Sequence, residues 1–217
     1  RQNGHPFLMA SVQNGHKEIL ENLFPDRFTF EPNRDYFDYI YSAEDLTFLR
    51  GKKFQSKRNF VSRFKRQEGW SYEPLGKDNL KECAAMSISW CAKYGCGKDP
   101  SMASESCSVK NALQNFEQLG LMGGLLRLNG EVVAFTIAEK TNSDTLLVHI
   151  EKAYGDIVGA YPAIANEFLR NSIVEEGEQL SVKYINREDD AGDLGLREAK
   201  MQYHPLFLLE KYSVKEK

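Results

Sequence analysis

Apolar and polar positions along the chain change period several times, and the changes delimit elements. Leu121 to Leu128 and Glu131 to Ala138 flank Asn129-Gly130, a dipeptide suited to the two positive φ angles of a tight hairpin turn. After the polar Thr141-Asn-Ser-Asp144, the stretch Thr145 to Glu151 alternates, with Leu147, His149 and Glu151 on one face and Leu146, Val148 and Ile150 on the other. Three consecutive antiparallel strands are expected. Past a loop from Lys152 to Gly159, Pro162 suits a first helical turn, and Ile164, Ala165, Phe168, Leu169 and Ile173 recur at helical spacing.

Before this block, Phe7 to Val12 reads as a strand, Lys17 to Leu23 as a helix and Tyr36 to Tyr41 as an aromatic strand. Ser42 can cap a following helix that ends by Gly51, and Ser56 can cap a second one carrying Phe60, Val61 and Phe64. A helix is expected from about Asp78 to Tyr94, and another through Val109, Ala112, Leu113 and Phe116 with Gly120 just past its end. Beyond the central helix come a strand over 180–185, a short helix around 196–202, and a last apolar strand over 206–212 before a charged tail.

Composition narrows the class. The chain has 217 residues, enough for one large domain or two small ones, and 31 acidic against 28 basic residues give a net charge of −3. A nucleic-acid partner would therefore need a local basic patch, and residues 50–66 supply one. No apolar run approaches the roughly 20 residues of a membrane span, and the start lacks a signal-peptide pattern, so a cytoplasmic location is expected. The first residue is Arg1, and the sequence reads as part of a longer chain. Cys83, Cys91, Cys96 and Cys107 form no Cys-x-x-Cys pair and have no histidine at ligand spacing; reduced core thiols are expected and no metal site.

Charged residues suggest where chemistry resides. Lys57 and Arg58, with Asn59, crowd the start of a helix, where the dipole is already positive; an anion or an acidic partner should be close. Glu151 beside His149 on a strand face is a candidate general base, with ion pairing to Lys152 or an arginine as its alternative role. Asn186, Arg187, Glu188 and Asp189 place an amide, a guanidinium and two carboxylates at a strand end, fit either for a ligand or for an internal ion-pair network. Arg197 and Lys200 follow on one helix side, and Tyr203 is a candidate acid.

The element order resembles an N-acyltransferase domain of the GCN5-related type, a mixed α/β (α+β) fold with a mostly antiparallel central sheet flanked by helices. That family's phosphate loop reads Arg/Gln-x-x-Gly-x-Gly/Ala, and here Asp156-Ile-Val-Gly159-Ala-Tyr161 keeps one glycine but puts an aspartate at the basic position. Coenzyme A is therefore a poor fit. Asp38-Tyr39, Lys57-Arg58-Asn59, His149 to Ala153, Asn166-Glu167-Phe168, Asn186 to Asp189, Gly195-Leu196-Arg197 through Lys200 and His204-Pro205 resemble an uncharacterised bacterial family related to the C-terminal domain of phosphatidylglycerol lysyltransferase. The resemblance implies tandem acyltransferase-like subdomains, with residues 1–50 as the end of a first and 51–217 as a second. It also implies an aminoacyl donor, with aminoacyl-tRNA in place of coenzyme A, transferring to an amine or hydroxyl acceptor; residues 50–66 would contact the tRNA. The substrate-binding set would be Lys57, Arg58, Asn59, His149, Asn186, Arg187, Glu188, Asp189, Arg197 and Lys200, with Glu151 and Tyr203 catalytic. Two other readings stay open: a non-catalytic binder of a small anionic metabolite or amino acid, and an acetyl-CoA-dependent N-acetyltransferase.

Overall fold

The computed structural model describes residues 7–95 and 100–217. The described residues form two compact units, one from residues 42–95 with 100–185 and one from residues 7–41 with 186–217.

In the unit of residues 42–185, strands β5 (Met122–Leu128), β6 (Glu131–Lys140) and β7 (Thr145–Ala153) are the expected antiparallel meander, with Leu128 opposite Glu131 across the turn. Asn129 and Gly130 have φ of 52° and 87°, the pair of positive values such a turn requires. Strand β4 (Trp70–Pro74) pairs antiparallel with β5. It escapes pattern reading because Gly69 and Pro74 punctuate only five residues, although Trp70 and Tyr72 alternate with polar neighbours. Next to β7 lies β8 (Tyr184–Asn186). It is shorter than the expected strand over 180–185; Leu180 instead forms an isolated bridge with Val174.

Helices cover both sheet faces. Residues of β5 and β6 divide between two cores: Leu125, Phe135 and Ile137 pack with Cys83 and Met86 of α4 (Leu80–Tyr94) and with Val109 and Leu113 of α5 (Pro100–Gln114). Leu126, Val133 and Ala134 pack with Phe64 of α3 (Gln55–Lys65) and with Ala160, Ala163 and Ile164 of α6 (Ala160–Ser172). Burial on both faces explains why β6 reads as one apolar run. Ser42 caps α2 (Ala43–Phe48) by accepting from the Asp45 amide, as expected. That helix ends at Leu49, in the left-handed region at φ 49°, two residues before Gly51. Helix α3 begins without a side-chain cap, so Ser56 does not serve as one.

The second unit holds a three-stranded antiparallel sheet in the order β1 (Leu8–Gln13), β10 (Lys211–Glu216), β2 (Phe28–Pro32). The expected charged tail is thus the sheet's middle strand. Val214 is fully buried, while Lys215 pairs with Glu31 at 2.7 Å. Helix α1 (Asn14–Leu23) joins β1 to β2. Strands β3 (Asp38–Ser42) and β9 (Phe207–Leu209) pair antiparallel, and α7 (Leu194–Met201) is capped by Asp193. Cys91 is disulfide-bonded, which corrects the expectation of reduced thiols at that position; Cys83 and Cys107 are free and Cys96 lies outside the described residues.

Candidate functional site

The predicted site residues fall in both units. Asn186, Arg187, Glu188, Asp189, Arg197, Lys200 and Tyr203 lie in the unit containing both ends of the chain, and Lys57, Arg58, Asn59, His149 and Glu151 lie in the other.

Asp190 organises the first group. Its carboxylate is wholly buried, and accepts from Tyr39 Oη at 2.5 Å, from Arg197 Nε at 2.9 Å and Nη2 at 2.7 Å, from Arg34 at 3.2 Å and from the Gly192 amide at 3.0 Å. Burial alone would raise its pKa, but Arg197, the Tyr39 hydroxyl and the Gly192 amide hold it well below the usual carboxylate range. Arg197 also pairs with Asp35 at 2.7 Å. Lys200, nearly buried, donates to the carbonyls of Arg187 at 2.6 Å, Glu188 at 3.3 Å and Asp189. These contacts pin a turn in which Glu188 and Ala191 take positive φ, a conformation that costs free energy for residues with a Cβ. Asn186 donates to Asp38 at 3.0 Å, and Lys211 donates to the same carboxylate at 2.5 Å. Asp189 accepts the Ala191 amide, and burial raises its pKa. The Arg187 guanidinium lies 4.8 Å from the ring centre of the buried Tyr203.

Arg58 supplies the partner that its place at a helix start demands. It donates to the carbonyls of Leu49 and, at 2.7 Å, Gly51. Just upstream, Asn166 donates to Leu46 at 3.3 Å and Thr47 at 2.7 Å. The orphan carbonyls at the negative end of α2 are thereby satisfied. Lys57 is half-buried and Asn59 exposed. Elsewhere in the basic run, Lys53 pairs with Asp45 at 2.7 Å and Lys65 with Glu167, while Lys52, Arg63 and Arg66 are exposed.

Around the end of β7 the chemistry is of another kind. One residue of β7, His149, is inserted opposite the step from Ile137 to Ala138. Such bulges re-aim side chains, and His149 Nε2 lies 3.1 Å from Glu139 Oε1, both groups about a third exposed. Glu151 shares the half-exposed face. Lys152 points the other way, as strand alternation requires. It is 2% exposed, its ammonium 3.9 Å from the Trp90 ring centre and 2.9 Å from Glu105 of α5, whose side chain is 49% exposed. Lys152 thus pairs with Glu105, and Glu151 is not its carboxylate partner. Trp90 Nε1 donates to the Ala153 carbonyl at 2.9 Å. The Tyr161 hydroxyl, in the first turn of α6, sits against Trp90 and the Ala153 main chain; burial pushes its pKa up, and the Glu151 charge adds to the shift. Trp90, Lys152, Tyr161 and Glu105 are the residues sequence reasoning missed. The usable signal was an aromatic and a lysine at the end of the strand bearing Glu151.

The loop after β7 is tied down from within. Lys93 pairs with Asp156 at 2.7 Å, and Tyr94 Oη accepts the Gly155 amide at 2.9 Å and lies 3.3 Å from Asp156. Gly159 has φ 83°, and a Cβ there would stand 2.2 Å from the Phe60 carbonyl oxygen. That glycine serves close packing of α6 on α3. Among the described residues, no group of three or more His, Cys, Asp or Glu side chains could hold a metal ion, and no helix is long and apolar enough to cross a membrane.

A mostly antiparallel sheet built on a three-stranded meander, with helices on both faces, is a GCN5-related acyltransferase-like fold. Residues 1–215 match the model of the family named phosphatidylglycerol lysyltransferase, C-terminal, and the chain belongs to that family. A crystal structure of a conserved protein of unknown function from Bacteroides thetaiotaomicron superposes with a TM-score of 0.91 at 41% identity, over 100% of this chain and 71% of that one. The L-PGS of Bacillus licheniformis superposes with a TM-score of 0.67 over 99% of this chain and 68% of its own, and at 15% identity that likeness is one of fold. An uncharacterised protein of Mycoplasmoides gallisepticum is 24% identical over 183 residues, 82% of this chain; the match spans only 56% of that protein's length.

Proposed function

We propose that this chain is an acyl-transfer module that moves an aminoacyl group from an oxygen ester, such as aminoacyl-tRNA, to an amine or hydroxyl acceptor. The observation that supports the reading is that Glu151 lies on the half-exposed face of β7 two residues before its end, while Tyr161, in the first turn of the following helix, packs against the cluster that holds Ala153 at that strand end. Glu151 takes the proton from the acceptor as its nitrogen or oxygen attacks the donor carbonyl. Tyr161, kept protonated by burial, protonates the departing ester oxygen as the carbon–oxygen bond breaks, and Glu151 passes the proton it took from the acceptor to the Tyr161 phenolate. In this reading Tyr161 fills the role of acid, because Tyr203 is packed beneath Arg187. The fixed loop of Gly155, Asp156 and Gly159 supports a donor other than coenzyme A, since a pyrophosphate there would meet a carboxylate and amides already engaged. Contact with tRNA would fall to Lys52, Arg63 and Arg66, and a cytoplasmic location goes with such a donor.

The test is transfer of a radiolabelled aminoacyl group from tRNA to a panel of amine and hydroxyl acceptors, run beside acetyl-CoA. Transfer from the tRNA donor that Glu151→Gln abolishes supports the reading. Acetyl transfer with micromolar coenzyme A binding would replace it with an ordinary acetyltransferase. One rival, a non-catalytic binding domain, would bind an amino acid or its ester without turnover in wild type and Glu151→Gln alike.

A further inference from the structure

The face of α4 turned away from β7 has no role in this chemistry, and it is open. Between α4 and α5 lies a cleft of about 580 Å³, inside the range of roughly 300–1,000 Å³ that holds small ligands. Its walls are largely apolar, from Leu80, Ala84 and Ile88 on one helix and Val109 and Leu113 on the other. Ile88 is 72% exposed there and extends the apolar wall to the surface. Three lysines share the lining. Lys77 pairs with Glu117 at 3.2 Å. Lys81 and Lys110 have no carboxylate within ion-pair distance among the described residues.

An apolar trough with two unneutralised ammonium groups matches an amphiphile with an anionic head. We propose that the α4/α5 cleft binds a medium- or long-chain carboxylate, its alkyl chain along Ala84, Ile88, Val109 and Leu113 and its carboxylate between Lys81 and Lys110. The apolar walls supply burial for the chain, and the lysines give charge-assisted hydrogen bonds to the head. A cationic amphiphile of the same length would gain the burial but meet two like charges. The volume suits one such molecule and is small for a docking helix, whose diameter is about 10–12 Å.

Cys107 is an exposed free thiol in the same lining, and so provides a native reporter. Its alkylation by iodoacetamide, followed residue by residue with mass spectrometry, is measured with dodecanoate, with dodecyltrimethylammonium and with phosphatidylglycerol vesicles. Dodecanoate is expected to slow Cys107 labelling and raise the melting temperature, with the cation ineffective. Lys81→Gln with Lys110→Gln, at surface positions that leave the fold intact, should raise the half-protecting concentration about tenfold. Ala84→Leu should block protection by filling the trough, and Ile88→Gln should weaken it should the filled variant not fold. Equal protection by the cation, protection by vesicles but not by monomeric carboxylate, protection that grows with protein concentration in the absence of amphiphile, or no protection at all would each overturn the proposal.

Discussion

Two charged clusters in this chain look equally suggestive as strings of letters and behave differently in three dimensions. The one around Asp190 is closed: a fully buried carboxylate accepts from five donors, and Lys200 directs its ammonium at main-chain carbonyls. At the end of β7 the cluster is open, with His149 and Glu151 half-exposed and the countercharge of Lys152 carried by a solvent-facing glutamate. Buried and mutually satisfied charges fix a conformation, whereas a substrate exchanges more readily with partners that water already reaches. Density of charge in a sequence therefore does not locate chemistry; the number of unspent or exchangeable partners does.

The sharpest way to break this contrast is to remove one carboxylate from each cluster. Glu151→Gln should lower aminoacyl transfer by about 10²–10⁴-fold while leaving the urea midpoint unchanged; a folding defect in place of a kinetic one would put Glu151 in the structural class. Asp190→Ala should do the opposite, destabilising by about 3–5 kcal/mol through stranded guanidinium groups, read by chemical denaturation. A loss below about 1 kcal/mol would remove the basis for calling that network structural.

Acid sharpens the same point. The folded pKa of Asp190 is depressed, so its contribution is fully present above the unfolded carboxylate value of about 3.9 and is lost as pH falls from there toward the folded value. Unfolding measured on descent below about pH 4 should steepen in wild type and be flatter in Asp190→Ala. Smaller effects test the supports. Gly159→Ala should cost about 1–3 kcal/mol, because the new methyl group meets the Phe60 carbonyl; an unperturbed melting curve would free Gly159 for a ligand role. Arg58→Gln should cost about 0.5–1.5 kcal/mol, from the uncapped end of α2, and little transfer activity. A large activity loss with stability intact would restore Arg58 as a substrate ligand.

The meander was readable because turn chemistry and alternation agree at Asn129-Gly130, and α4 and α6 because their apolar residues keep helical spacing between clear ends. What escaped has physical reasons. Strand β10 alternates Tyr212, Val214 and Glu216 against Lys211, Ser213 and Lys215, so only one of its six residues is aliphatic and the pattern reads as solvated. The single apolar run over 206–212 divides at Glu210 into β9 and the start of β10. Within the site, Glu151 and His149 were visible on their strand face. In the sequence Tyr161 stands out only as a misfit to a phosphate loop and Trp90 only as one position of an expected helix, since a side chain's second role appears when the strand end it touches is known. The destination of Arg58 was legible as a need for negative charge but not as carbonyl oxygens, which have no letter of their own.

The middle position of β10 also bears on synthesis. Thr29 and Lys215, hydrogen-bonded across the sheet, are 186 residues apart, and ribosomes add about 5–20 residues per second, so β1 and β2 wait about 10–40 s for the strand that joins them. Throughout that interval Phe28 and Phe30 belong to a strand with unpaired edges, the state most open to capture by another nascent chain. A ribosome-bound chaperone that shields residues 7–41 until Lys211–Glu216 emerge would raise the yield of this protein more than one acting on the meander, whose strands meet their partners within one hairpin turn of being made.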